Sequence, residues 1–109
     1  MEVIVDVHNS LRADEGAADM ELMTWNHFLA SLAERWAAVC RWEHGQPLLG
    51  DHPQYSAIGQ NLYATTGASL NLTAAIGEAW VSNEKPHYDY DSLECADGEV
   101  CGHYTQVKN

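Results

Sequence analysis

Leu72, Ala75, Ile76, Ala79 and Trp80 recur at the intervals of one helix face, and extending that stripe by four residues reaches Glu84. A carboxylate on an apolar face is costly to bury unless it is paired or hydrogen-bonded, so Glu84 is an acid with a partner or a task. His87 follows at i+3, and Glu-x-x-His on one helix face can hold a metal. Pro86 interrupts that turn, which makes His87 a helix-terminal surface residue instead. His8, His27 and His52 read as hydrogen-bonded or solvent-facing side chains. Ser10 and Ser92 are the nearest approach to serine nucleophiles, and neither lies in a Gly-x-Ser-x-Gly turn. Three cysteines complete the reactive set. Cys95 and Cys101 stand six apart across a glycine-containing loop that could close as a small disulfide ring, with Cys40 left over. A reduced protein with three buried thiols is the alternative, against which Asn71-Leu72-Thr73 fits the acceptor sequence for N-glycosylation.

Helices, strands and loops must position these residues. Val3, Val7 and Leu11 share one helix face, with an end near Gly16, and His8-Asn9-Ser10-Leu11-Arg12 lies inside that helix. An extended connector over residues 19–23 leads to Thr24 or Asn26 as the cap of a second helix. Leu29, Leu32, Ala33, Trp36, Val39 and Cys40 line one face of it. Residues 45–57 have the Gly, Pro, Asp, His and Gln chemistry of a surface loop. Residues 58–65 read as a short strand entered through Gly59. The stripe that ends at Glu84 predicts a third helix from about Ser69 to just before Pro86. Residues 103–107 alternate as a second strand, with His103, Thr105 and Val107 on one side. Trp25, Trp36 and Trp80 are expected in the core, while Trp42 is close enough in sequence to His44 to line a cleft beside it.

The chain has 109 residues, of which 46% are hydrophobic and 19% charged, so a single domain over residues 1–109 with one packed core is expected. A formal net charge of −11 repels nucleic acid and anionic membrane surfaces. No apolar run approaches the roughly 20 residues of a membrane span, and Met1-Glu2-Val3-Ile4-Val5-Asp6 has neither the basic nor the apolar region of a signal peptide.

Four features coincide in order: His8-Asn9-Ser10-Leu11-Arg12, Cys40 followed four residues later by His44, Gly59-Gln60-Asn61-Leu62, and Gly102-His103-Tyr104-Thr105-Gln106-Val107. The pattern resembles the CAP superfamily of cysteine-rich secretory proteins, antigen 5 and pathogenesis-related class 1 proteins. The Cys95 to Cys101 loop before Gly102-His103 looks most like the branch of peptidase inhibitor 16 and glioma pathogenesis-related proteins. The resemblance implies an α+β fold, a three-layer α/β/α sandwich, with a cleft that gathers His44, Gln60, Glu84 and His103. Many relatives carry glutamate where Gln60 stands. The amide keeps a carbonyl acceptor and adds two donors, and it removes a negative charge and any general-base capacity.

The resemblance further implies a metal-capable pair, His44 and His103, suited to zinc or another divalent cation, with no cofactor required. It implies a secreted, extracellular, non-enzymatic binding module for a sterol, a fatty acid or an extracellular protein. The alternative is a metal-dependent hydrolase with Glu84 as base and Gln60 as oxyanion donor. Relatives continue past the Gln106-Val107 position into further strands, including a cysteine that pairs with the equivalent of Cys40. The expectation is therefore a partial domain whose C-terminal strands are missing and whose Cys40 is unpaired.

Overall fold

The computed structural model describes residues 2–46, 57–67 and 69–109. His52 and most of the expected loop over residues 45–57 lie outside the described residues. Among the described residues, helices and one small sheet make up the regular structure, an α+β content.

Helix α1 spans Glu2–Ala13, with Glu2 in its first turn and Arg12 in its last, charges that oppose the helix dipole at each end. It closes through Gly16, whose φ of 71° lies in the left-handed region and whose N–H bonds Ala13 O at 3.2 Å. The polar residues of α1 fasten neighbouring chain. Asn9 Oδ1 accepts from Met23 N at 2.7 Å and Asn9 Nδ2 donates to Met23 O at 3.0 Å, fixing the connector in both directions. The buried Arg12 donates to Glu21 O at 2.8 Å and to Val107 O at 3.2 Å, so one guanidinium joins the connector to the C-terminal helix.

Helix α2 spans His27–Ala38 and is capped by Asn26, whose Oδ1 accepts from Leu29 N at 2.9 Å. Cys40 lies beyond this helix, exposed and at φ 59°, which corrects its expected place on the helix face. The helix buries Leu32 alone. A largely apolar cavity of about 620 Å³ separates its inner face from α1, with Met23, Trp36, Leu62, Ile76 and Trp80 among the walls.

The expected third helix exists in three pieces. Helix α3, Leu72–Ala74, is capped by Asn71 and widens into a π-helix over Ala75–Ser82, confirmed by Asn83 N bonding Glu78 O five residues back at 3.0 Å. A 3₁₀ turn over Lys85–His87 follows, and Pro86 sits in its first turn, where its missing N–H costs nothing. Strands β1, Tyr88–Asp89, and β2, Glu94–Cys95, form an antiparallel hairpin with Tyr88 opposite Cys95. Its turn is organised by Asp89 Oδ1, which accepts from Asp91 N at 2.9 Å. Those backbone donors hold the Asp89 carboxyl below the usual carboxylate range.

Two strand expectations are overturned. Residues 58–65 form no strand, because among the described residues they make no backbone ladder with any partner. Residues 103–107 are helical, within α4, Gly102–Lys108, and the buried pair Tyr104 and Val107 follows helical spacing rather than alternation.

The core cluster is Val81, Tyr104 and Val107, with Leu11, Trp80 and Tyr88 packed against it. Tyr104 is fully buried; its hydroxyl donates to Glu15 Oε2 at 2.9 Å and also hydrogen-bonds the Tyr90 hydroxyl. Lys85 Nζ lies 3.5 Å from Glu15 Oε1. Of the tryptophans expected in the core, Trp80 packs against the core cluster, and all three of Trp25, Trp36 and Trp80 are half-buried.

Candidate functional site: a buttressed histidine cleft

Glu84 is buried immediately before the 3₁₀ turn, and its task is to start another helix. The first residues of α4 have backbone N–H groups that no intrahelical carbonyl can reach, and the N-cap residue Cys101 offers no side-chain oxygen. Glu84 supplies it from a distance, Oε1 accepting from His103 N at 2.9 Å and from Tyr104 N at 3.2 Å. The carboxylate charge also complements the positive end of this short helix. Its second oxygen, Oε2, accepts from His103 Nδ1 at 2.5 Å. One acid therefore caps the helix and orients the imidazole that the helix carries.

The second histidine is held by an amide. Gln60 Nε2 donates to Gly45 O at 2.8 Å, and Gln60 Oε1 accepts from Gly45 N at 3.3 Å. Because a backbone carbonyl can only accept and a backbone N–H can only donate, these two bonds fix which end of the amide is oxygen. His44 Nδ1, 2.9 Å from Gln60 Oε1, must then be the donor. In the neutral form, the rings of His44 and His103 thus both carry hydrogen on Nδ1 and a lone pair on Nε2.

The structure brings the expected four residues together as two pairs, His44 with Gln60 and His103 with Glu84. Consecutive residues link them, since Asn61 Nδ2 donates to His103 O at 3.1 Å while Gln60 holds His44. Trp80 stacks on His103 with planes 2° apart and centroids separated by 6.0 Å, and its indole N–H donates to Leu62 O at 2.9 Å. Asn61 and Trp80 were not singled out as site residues by the sequence. Their signals were present, Asn61 within the Gly59-Gln60-Asn61-Leu62 motif and Trp80 one helical turn before Glu84.

A neutral imidazole Nε2 is the donor type that a borderline divalent cation such as zinc takes, and a carboxylate behind a ligating histidine raises its basicity. Among the described residues, no three side chains from His, Cys, Asp and Glu cluster as a ready metal cage. His87 belongs elsewhere, its Nε2 lying 3.5 Å from Glu99 Oε2. His8 is buried, with Nδ1 bonded to Ile4 O at 2.8 Å, and His27 is exposed. Trp42, two residues before His44 in the chain, is 69% exposed. Cys95 and Cys101 form a disulfide that ties β2 to the start of α4, and Cys40 is free.

The family model of the cysteine-rich secretory proteins matches residues 5–109. Pathogenesis-related protein 1B of Nicotiana tabacum is 41% identical over 107 residues, covering 94% of this chain and 55% of the relative. Glioma pathogenesis-related protein 1 of Mus musculus is 37% identical over 106 residues, covering 94% of this chain and 40% of the relative. Peptidase inhibitor 16 of Bos taurus is 36% identical over 107 residues, covering 96% of this chain and 21% of the relative. The chain thus spans between about a fifth and just over half of the length of these relatives. No solved structure matches it.

Proposed function

The chain belongs to the cysteine-rich secretory protein (CAP) family, and on that premise we propose that it is an extracellular, non-enzymatic binding module with a divalent-cation site at His44 and His103. The observation that carries this reading is the matched pair of Nδ1–H donors, one held by Gln60 and one by Glu84, which leaves both Nε2 atoms for an ion. Zinc held there supplies a cationic anchor for an oxygen or nitrogen donor of a ligand. Glu84 works against the hydrolase reading, because both of its oxygens already accept hydrogen bonds. Gln60 has no base to offer.

The ligand class that fits best is the surface of an extracellular protein. Trp42, 69% exposed and two residues before His44 in the chain, is the kind of side chain that anchors protein interfaces. The name of the relative peptidase inhibitor 16 points the same way, to an action on a protein. Sterol and fatty acid are the other ligands for the module. We also infer the three-layer α/β/α arrangement for the domain, with sheet strands lying between α2 and the α1 layer. The apolar cavity there, and residues 60–63 that line it without a backbone ladder, support that layering.

Calorimetric titration of the purified chain with zinc tests the cation site. Binding is expected to fall at least about tenfold in His44→Ala and in His103→Ala, and affinity unchanged in both variants overturns the assignment. Peptide cleavage by the zinc-loaded chain overturns the non-enzymatic reading. Saturable uptake of sterol or fatty acid that survives Trp42→Ala replaces the protein surface with a lipid as the ligand.

A further inference from the structure

The Asn71-Leu72-Thr73 sequence is not used by the cleft, and its setting suits a modification. No other asparagine in the chain is followed by Ser or Thr two residues later. Asn71 is exposed and extended, at φ −92° and ψ 99°, where α3 begins. Its two amide atoms have separate fates. Oδ1 caps the helix by accepting from Ala74 N at 3.0 Å, and Nδ2 makes no hydrogen bond among the described residues. Thr73 is exposed as well. The residues on either side, Leu70 and Leu72, line the apolar cavity, and Leu70 is 52% exposed.

We propose that Asn71 carries an N-linked glycan that stands at the rim of this cavity; the proposal rests on the extracellular reading, since the transfer takes place in the secretory route. In the transfer, a bond forms from Asn71 Nδ2 to the first sugar carbon of a lipid-pyrophosphate-linked oligosaccharide. The bond from that carbon to the pyrophosphate oxygen breaks, and the amide loses one proton as the lipid pyrophosphate leaves. The product amide keeps its carbonyl oxygen and one N–H, so the helix cap survives the modification. A glycan at this point covers the approach to Leu70 and Leu72, apolar surface that otherwise faces water.

The test is expression of the full chain behind a cleavable signal peptide in eukaryotic cells, with mass analysis of the secreted protein. The expected product carries one glycan, and enzymatic release of that glycan converts Asn71 to aspartate in the peptide mass. Thr73→Ala and Asn71→Asp both abolish the glycan while keeping an oxygen that can cap α3, so their secreted products remain folded by circular dichroism. Secreted, folded wild-type protein with unmodified Asn71 overturns the proposal and leaves the extracellular reading standing. A chain retained in the cell overturns both. Native deglycosylation is expected to raise the binding of an apolar fluorescent dye, and unchanged binding overturns the shielding role.

Discussion

Glu84 holds three donors, two of them the opening N–H groups of α4 and the third His103 Nδ1. Hydrogen bonds to a buried charged group each contribute about 1.5–3 kcal/mol, so Glu84→Gln, which puts an NH₂ where one of those donors must be received, is expected to cost about 2–3 kcal/mol in urea unfolding. Zinc affinity is expected to fall about 10- to 100-fold in the same variant, because the carboxylate that receives His103 Nδ1 becomes a neutral amide. Tyr104 makes a different demand. Burial, and then its bond to the Glu15 carboxylate, push its phenol well above the ordinary value. A raised folded value means that the stability is fully present below the unfolded tyrosine value of about 10 and is lost as pH rises past it. The urea midpoint of the native chain is expected to fall more steeply above pH 10 than that of Tyr104→Phe, measured by the same unfolding series. The sequence marks Glu84 as an acid needing a partner, because periodicity places it on an apolar face. It does not show that the partner is a helix start 18 residues later, since neither Cys101 nor Gly102 carries a capping side chain.

Elements whose order comes from local chemistry are legible in the sequence, and those whose order comes from distant partners are not. α2 is readable from Asn26 and its apolar face, as is α1 up to the turn at Gly16. The alternation of residues 103–107 suggests a strand, and a distant carboxylate makes the segment a helix. Residues 58–65 have strand composition, but a strand needs a neighbour to receive its backbone bonds. Two glycines separate these influences. A Cβ at Gly45 collides with the Trp36 ring, whose indole N–H is fixed on Glu43 O at 3.0 Å, while the Gly45 backbone holds Gln60. Gly45→Ala is therefore expected to lower stability by about 1–3 kcal/mol and to weaken zinc binding at His44. Gly77, in the π-helix, has open space around it. Gly77→Ala is expected to raise stability by about 0.5–1 kcal/mol, both shifts being read from denaturant midpoints.

Across the whole molecule, the part that coheres is α1, the π-helix and α4 around Tyr104, with the connector clamped on by Asn9 and Arg12. The Cys95 to Cys101 bridge closes a ring of six-residue separation onto that unit. Loop-closure entropy for so short a ring gives about 2 kcal/mol, so reduction is expected to shift the unfolding midpoint by that amount and to loosen α4 first. The one buried residue of α2, Leu32, has a consequence for motion. Amides of α2 should exchange with solvent through a local opening well below the free energy of global unfolding, while those of α4 wait for the whole core. His44 lies on the chain that leaves α2, and His103 is carried by α4. On the proposed site, an ion bridging the two imidazoles would join a slow body to a fast one and act as a clasp, slowing exchange in a helix it does not touch.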